Sequence, residues 1–295
     1  IRRPPRSTLF PYTTLFRSLL ADVFGKVLHA WTRKRLLSTL LQRKAPGQIG
    51  RLPSQQATTA VQLLRLHGKI GRSRRLSTAA IFVDLKAAFH HMLREFIFSV
   101  REPTTREMLD RIFDPNEFDV QQLARDLHAA CNQQPQDIPA ALRGFLHDIH
   151  KDTWFKLDAS QGTTTVTQRG TRPGSPLADI GFNLLISKMM WQIGDKLNEL
   201  PAYLQGCQAL GITVPPLSWV DDLAVPLVAN EPSQLLPLMR DVVMILHETF
   251  QAHGMTMNFE SGKSEAVIMY RGNGAAKFRT ALFDTDRKST RLNSS

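Results

Sequence analysis

Acidic residues are missing from a long stretch of this chain: between Val23 and Val83 there is neither Asp nor Glu. Cysteine is scarce too, with only Cys131 and Cys207 in 295 residues. Two isolated thiols exclude a disulfide framework and a cysteine-based zinc site, and they point to a reducing compartment. No uninterrupted apolar run approaches the ~20 residues of a membrane-spanning helix, so no membrane partner is expected. No internal repeat is visible.

What fills the acid-free stretch is positive charge: Lys26, Arg33, Lys34, Arg35, Arg43, Lys44, Arg51, Arg65, Lys69, Arg72, Arg74 and Arg75. The formal charge of the whole chain is +11. Residues 1–18 (IRRPPRSTLFPYTTLFRS) and 286–295 (DRKSTRLNSS) read as in-frame translations of sequencing-library adapters and are set aside as non-native tails. They carry +4 and +2, leaving +5 for 19–285; with +12 between Val23 and Val83, the rest is −7. A one-signed region beside an acidic one is the footprint of a polyanion groove next to metal-binding carboxylates. The alternative is a soluble helical surface that happens to be basic.

Apolar spacing predicts a helix over Leu19–Lys44, stopped by Ala45-Pro46-Gly47, and a second over Gln55–Ile70. A strand follows at Thr78–Asp84, then a helix over roughly Ala87–Val100. The segment from Arg101 to Asp148 reads as helices broken by Pro103, Pro115, Pro135 and Pro139. Thr153–Leu157 and Thr163–Gln168 alternate like a hairpin. A long helix runs from Ser175 to about Leu200, a hairpin spans Gly211–Val228, and a helix spans Ser233–Gly254 with Ser233 as N-cap. Ser264–Tyr270 closes the series as a strand. The second half is thus an α+β, split βαββαβ pattern with an antiparallel sheet and helices on one face.

The hairpin carries the chemistry. Asp221 and Asp222 sit together in an apolar run, Leu217-Ser-Trp-Val-Asp-Asp-Leu-Ala-Val, and the strand Ala80-Ile-Phe-Val ends at Asp84. Burying like charges this way is costly unless a cation or base pairs with them. Strands that bring three carboxylates to one sheet edge suit a two-Mg²⁺ site and phosphoryl or nucleotidyl transfer. Taken singly, Asp84 reads as a strand-terminal turn residue and Asp221-Asp222 as a solvated turn. His90-His91 and His147/His150 lack partners at ligand spacing and read as helix histidines.

Four segments occur in order: Phe82-Val-Asp-Leu-Lys-Ala-Ala-Phe89, Arg169-Gly-Thr-Arg-Pro-Gly-Ser-Pro-Leu-Ala-Asp179, Trp219-Val-Asp-Asp222, and Gly254…Asn258…Lys263-Ser-Glu265. Together they resemble motifs A to D of reverse transcriptases, nearest to those of non-LTR retrotransposons, over about Gln48–Tyr270. The resemblance implies the fingers and palm of a right-hand polymerase. Residues 19–77 would form a basic fingers-side region, and 78–285 a palm with a helical fingers insert at about 101–168. A thumb would be expected after Tyr270. It further implies that Asp84, Asp221 and Asp222, with the Leu85 carbonyl, hold two Mg²⁺ ions (Mn²⁺ able to substitute). Lys263 would act as general acid toward pyrophosphate, although a surface loop lysine is the alternative. Phe89 would sit beneath the incoming sugar and exclude a 2′-hydroxyl; a core Phe is the alternative. Arg172, the Gly174 backbone, Lys69 and Arg72 would contact the nucleotide.

The implied partners are an RNA template, a DNA primer and dNTPs, in a nuclear or cytoplasmic compartment. Pro173 stands where many relatives carry Gln, and Trp219 where Tyr is usual. Two rivals remain. An RNA-directed RNA polymerase or a maturase is one, although Val220 stands where RNA polymerases show Gly and Pro173-Gly174 where maturases show Gln-Gly. A decayed or domesticated RNA-binding scaffold is the other.

Overall fold

The computed structural model describes residues 23–50, 52–92, 94, 125, 138–150, 153–156, 164–167, 170–171 and 175–281; at 147, 153–156 and 164–167 the description extends to the backbone only. Helices α1 (Val23–Arg43) and α2 (Ala57–Ser73) lead into strand β1 (Ser77–Val83), followed by a single helical turn, α3 (Ala88–His91). After α4 (Ala140–His150), strands β2 (Thr153–Lys156) and β3 (Thr164–Thr167) pair as a separate antiparallel hairpin, as their alternation predicts. Helices α5 (Ala178–Asn198) and α6 (Pro201–Leu210), strands β4 (Leu217–Trp219) and β5 (Asp222–Ala229), helix α7 (Pro232–Gln251) and strand β6 (Glu265–Met269) complete the order.

The main sheet is antiparallel throughout, in the order β4-β5-β1-β6. Counted along the unit β1-α5-β4-β5-α7-β6, that is the split βαββαβ connectivity expected from the sequence. Alternation on β1 and β5 sends Ala79, Ile81 and Val83, and Leu223, Val225 and Leu227, into one buried cluster with α5 and α7. Helix α5 is the hub. It packs against α1, α6 and α7, and 14 of its 21 residues are buried. Each fully buried Phe182, Met189 or Ile193 contributes about 1.5–3 kcal/mol of apolar transfer, so this helix is fixed more firmly than any propensity could fix it. A bidentate contact from Arg33 of α1 to Asp179, with a shortest N–O distance of 3.0 Å, ties the start of α5 to the basic N-terminal region.

Helices α5 and α7 of this unit share one face of the sheet, as expected, and α2, from outside the unit, covers part of the other. Ala60, Leu63 and Leu64 of α2 pack on the other face, against Ile49, Val214, Leu217 and Ala224. Close approach there depends on glycine: a Cβ on Gly71 would lie 2.3 Å from the Thr78 Cγ2. His67 of α2 is buried and bonds the Leu227 carbonyl at 3.0 Å, which anchors the helix to β5. The cover is partial, and Phe82 and Val267 remain exposed.

Three expectations need correcting. The helix expected over Ala87–Val100 ends at His91, and 95–100 lie outside the described residues. The Phe89 and Met92 carbonyls, which a continuing helix would use, accept instead from Thr171 N at 2.8 Å and Gly170 N at 2.6 Å. Helix α6 was not anticipated; Pro201 at its first position and left-handed Gly211 (φ 70°) after its last are the punctuation that marks it. The cap of α7 is Glu231, in a reciprocal capping box with Gln234, so Ser233 lies inside the first turn.

Candidate active site

Residue Asp84 leaves the end of β1, Asp221 lies with Val220 in the turn between β4 and β5, and Asp222 opens β5. The β1–β5 register pairs Val83 with Leu223; continued by one residue, it sets Asp84 opposite Asp222. The β1–β6 register pairs Phe82 with Glu265; continued by two, it sets Asp84 opposite Lys263. Lys263, Asp84 and Asp222 thus form a row across three strands. Because Val83 and Leu223 point into the core, their neighbours Asp84 and Asp222 point to the other face, beside exposed Phe82. The sequence places these acids far apart; the register puts them side by side.

The turn that presents Asp221 is strained. Val220 sits at φ 61° in a two-residue hairpin loop, a position that glycine ordinarily fills and that a β-branched residue avoids. Such strain costs of order 1–3 kcal/mol and persists only where surroundings impose it. Here the imposing element is the loop after α1. Ile49 N and Gly50 N both donate to the Ser218 carbonyl (2.9 and 3.1 Å), while Ser218 N donates to Gly47 O at 3.0 Å. Gln48 locks that loop to α5: its Nε2 donates to the Asn183 carbonyl at 2.8 Å, and its Oε1 accepts from Ser187 Oγ at 2.5 Å. All three of these polar side chains are buried.

Charge at the site is unbalanced. The Asp222 carboxyl is raised above its ordinary range, first by loss of solvent against its apolar surroundings, then by the negative charge of Asp221 and of Asp84; Lys263 offsets part of this. Lys263 Nζ stands 3.9 Å from Asp84 Oδ2. The same oxygen accepts a 2.8 Å hydrogen bond from Asn258 Nδ2. The loop carrying Asn258 is bonded to the backbone around Asp84 as well: Asn258 N to Asp84 O at 2.8 Å, and Lys86 N to Thr256 O at 2.9 Å. Those two bonds flank the Leu85–Met257 bridge and leave the Leu85 carbonyl out of it.

Carboxylate oxygens are the donor set that a hard divalent cation takes, and mutual repulsion raising Asp222 is what such a cation would relieve. In chemistry and charge the residues fit. They are not drawn into a ready coordination sphere: among the described residues no three His, Cys, Asp or Glu side chains cluster closely enough to hold a metal ion. Asp84 is turned instead to Asn258 and Lys263.

No family model matches the chain, and no curated protein does. Among solved structures the similarity is to telomerases. C-terminally truncated apo telomerase from Candida tropicalis aligns with 89% of this chain and 43% of its own, at 11% identity and TM-score 0.44. The C. tropicalis enzyme in complex with a TWJ fragment of telomeric RNA covers 85% and 34%, at 12% identity and TM-score 0.48. The Candida albicans complex covers 85% and 35%, at 10% identity and TM-score 0.44. This chain spans less than half the length of each. Superposition this loose decides neither fold nor activity.

The remaining expected site residues are scattered. Phe89 is half-buried and stacks on Phe182 of α5, with ring centroids 4.5 Å apart. Arg172 and Gly174 lie outside the described residues. Gly170 and Thr171, just before them, are bonded to the α3 segment as described above, and buried Arg94 donates to the Gly170 carbonyl at 2.7 Å. Lys69 and Arg72 are not brought to the carboxylates. Gly71 packs on Thr78, and six strand residues at ~3.3 Å each put roughly 20 Å between that point and Asp84. Asn258 is the residue whose role was missed. It was visible inside the fourth motif, as an amide side chain between the apolar alternation Met255, Met257, Phe259 and the Ser261-Gly262 turn.

Proposed function

We propose that this chain carries the catalytic palm of a template-directed nucleotidyl transferase, an RNA-directed DNA polymerase of retroelement type. The observation that carries the reading is the Lys263–Asp84–Asp222 row, with Asp221 adjacent, at one end of a split βαββαβ sheet. Asp84, Asp221 and Asp222, with the Leu85 carbonyl, would hold two Mg²⁺ ions, or Mn²⁺. Bound there, the ions would lower the pKa of a primer 3′-hydroxyl and neutralise charge on the triphosphate and leaving pyrophosphate.

The chain's own groups divide the remaining work. Lys263, within reach of Asp84, supplies the proton that pyrophosphate takes on leaving. Phe89, braced by Phe182, is the wall beneath the deoxyribose. Arg172 and the Gly174 backbone, outside the described residues, would contact the incoming nucleotide. Arg65, Lys69 and Arg72 lie exposed along one face of α2, and the distance of Lys69 and Arg72 from the carboxylates suits them to the phosphate backbone of template or primer instead of the triphosphate. No helix among the described residues is long and apolar enough to cross a membrane.

One observation favours a second reading, a retained RNA-binding scaffold without turnover: Asp84 is engaged by Asn258 and Lys263, and among the described residues no closed metal cluster is formed. Single-nucleotide extension of a primed RNA template with Mg²⁺ separates the readings. Deoxynucleotide addition abolished in Asp84→Asn and Asp221→Asn supports the polymerase. Ribonucleotide addition would indicate an RNA polymerase. RNA binding without any addition would favour the scaffold.

A further inference from the structure

The two oxygens of Asp84 are not equivalent. Oδ2 accepts from Asn258 Nδ2 at 2.8 Å and faces Lys263 Nζ at 3.9 Å, whereas no hydrogen bond or ion pair reaches Oδ1 among the described residues. Asn258 is itself immobilised. It is buried, its N donates to Asp84 O at 2.8 Å, its carbonyl accepts from Ser264 N at 3.0 Å, and its Oδ1 accepts from Glu260 N at 3.2 Å. With Oδ1 committed to Glu260, the amide can turn only its NH₂ toward Asp84, so the donor is fixed in kind as well as in place. Ser264 adds a second clasp, its Oγ accepting from Asp84 N at 3.1 Å. The whole loop from Thr256 to Ser264 is thereby bonded to the chain on both sides of one carboxylate.

We propose that Asn258 is a positioning residue that reserves Oδ2 of Asp84, leaving Oδ1 as the oxygen offered to a divalent cation. In this arrangement Lys263 is the resident countercharge on the reserved oxygen. The inference rests on the metal-site reading of the three carboxylates and adds to it the group that orients the first of them. An outer hydrogen-bonding partner of this kind is worth about 10–100-fold in metal affinity. The ammonium acts in the opposite sense: it competes electrostatically with the incoming cation, and removing it favours binding.

The test is Mn²⁺ binding to the protein alone, followed by the electron paramagnetic resonance of free Mn²⁺, without nucleic acid or nucleotide. Asn258→Ala is expected to weaken binding at least about ten-fold while melting cooperatively and keeping its circular dichroism. Lys263→Met, at an exposed side chain, is expected to tighten binding several-fold. Wild-type affinity in a folded Asn258→Ala overturns the positioning role. If Asn258→Ala does not fold, Lys263→Met decides: unchanged or weaker binding overturns the assignment of Oδ2 to protein groups. Asp84→Asn is the reference that keeps the two claims apart. If Mn²⁺ binding is indifferent to Asp84→Asn, the metal-site reading fails; if only the Asn258 effect is missing, that reading stands and this inference falls.

Discussion

Replacing Gly50 by Ala probes how the carboxylate turn is held. The added Cβ would lie 2.1 Å from Val220 N, 2.8 Å from the Trp219 carbonyl carbon and 3.0 Å from Trp219 Cα. All three are backbone atoms of the strand end and turn that present Asp221, so no side-chain rotation can make room. Relief to ordinary contact needs a shift of roughly 1 Å between the 47–50 loop and β4, and overpacking of this kind costs about 1–3 kcal/mol. The shift also strains the bonds from Ile49 N and Gly50 N to the Ser218 carbonyl, each worth about 1 kcal/mol. The sum is a destabilisation of about 2–4 kcal/mol, read as a lower urea midpoint. Function should suffer beyond stability, because Val220 at φ 61° relaxes once its support moves. Under the proposed polymerase function, a displacement near 1 Å of the carboxylates would cost about 100-fold in rate, so single-nucleotide extension should fall by that order at temperatures where the variant is folded. A Gly50→Ala protein that unfolds with the wild type and extends primers at wild-type rate would refute the reasoning.

Further outcomes follow from the same structure. Gly194 in α5 and Gly144 in α4 have nothing within 4 Å of an added Cβ, so Gly→Ala at either should raise stability by about 0.5–1 kcal/mol in urea denaturation; a loss would show that the helices are otherwise packed. A triple Arg65→Gln, Lys69→Gln, Arg72→Gln variant should lower the slope of log K against log salt for single-stranded RNA by about 2, at ~0.7 per phosphate contact, and an unchanged slope would remove α2 from the nucleic-acid surface. His253 is held neutral, its pKa lowered to about 4 mainly by burial, with the Thr249 carbonyl bond opposing and Lys188 and Lys196 reinforcing the shift. Its folded pKa is below its unfolded value of 6.5, so its contribution is complete above pH 6.5 and is lost as pH falls toward about 4. The loss amounts to about 3 kcal/mol, and denaturation of His253→Gln across that window should show a flatter pH dependence.

Local pattern determined a good deal. Short apolar runs marked β1, β5 and β6, helical spacing marked α1, α2, α5 and α7, and the acids at strand ends marked the site, because these signals live within a few residues of one another. The absence of Asp and Glu from Val23 to Val83 marked a basic, one-signed region for the same reason. Arrangement across the sheet was beyond such patterns. Strand register aligned Lys263, Asp84 and Asp222, which are separated by up to 179 positions in the chain, and it exiled Lys69 and Arg72 to the far end of the same sheet. Glycines at 50, 68 and 71 let backbone and helix approach strands that no periodicity pairs them with. Asn258 gained its role from a hydrogen bond spanning 174 residues. Propensity and alternation are properties of neighbouring residues, whereas register, close approach and side-chain orientation are settled only when distant segments share one core.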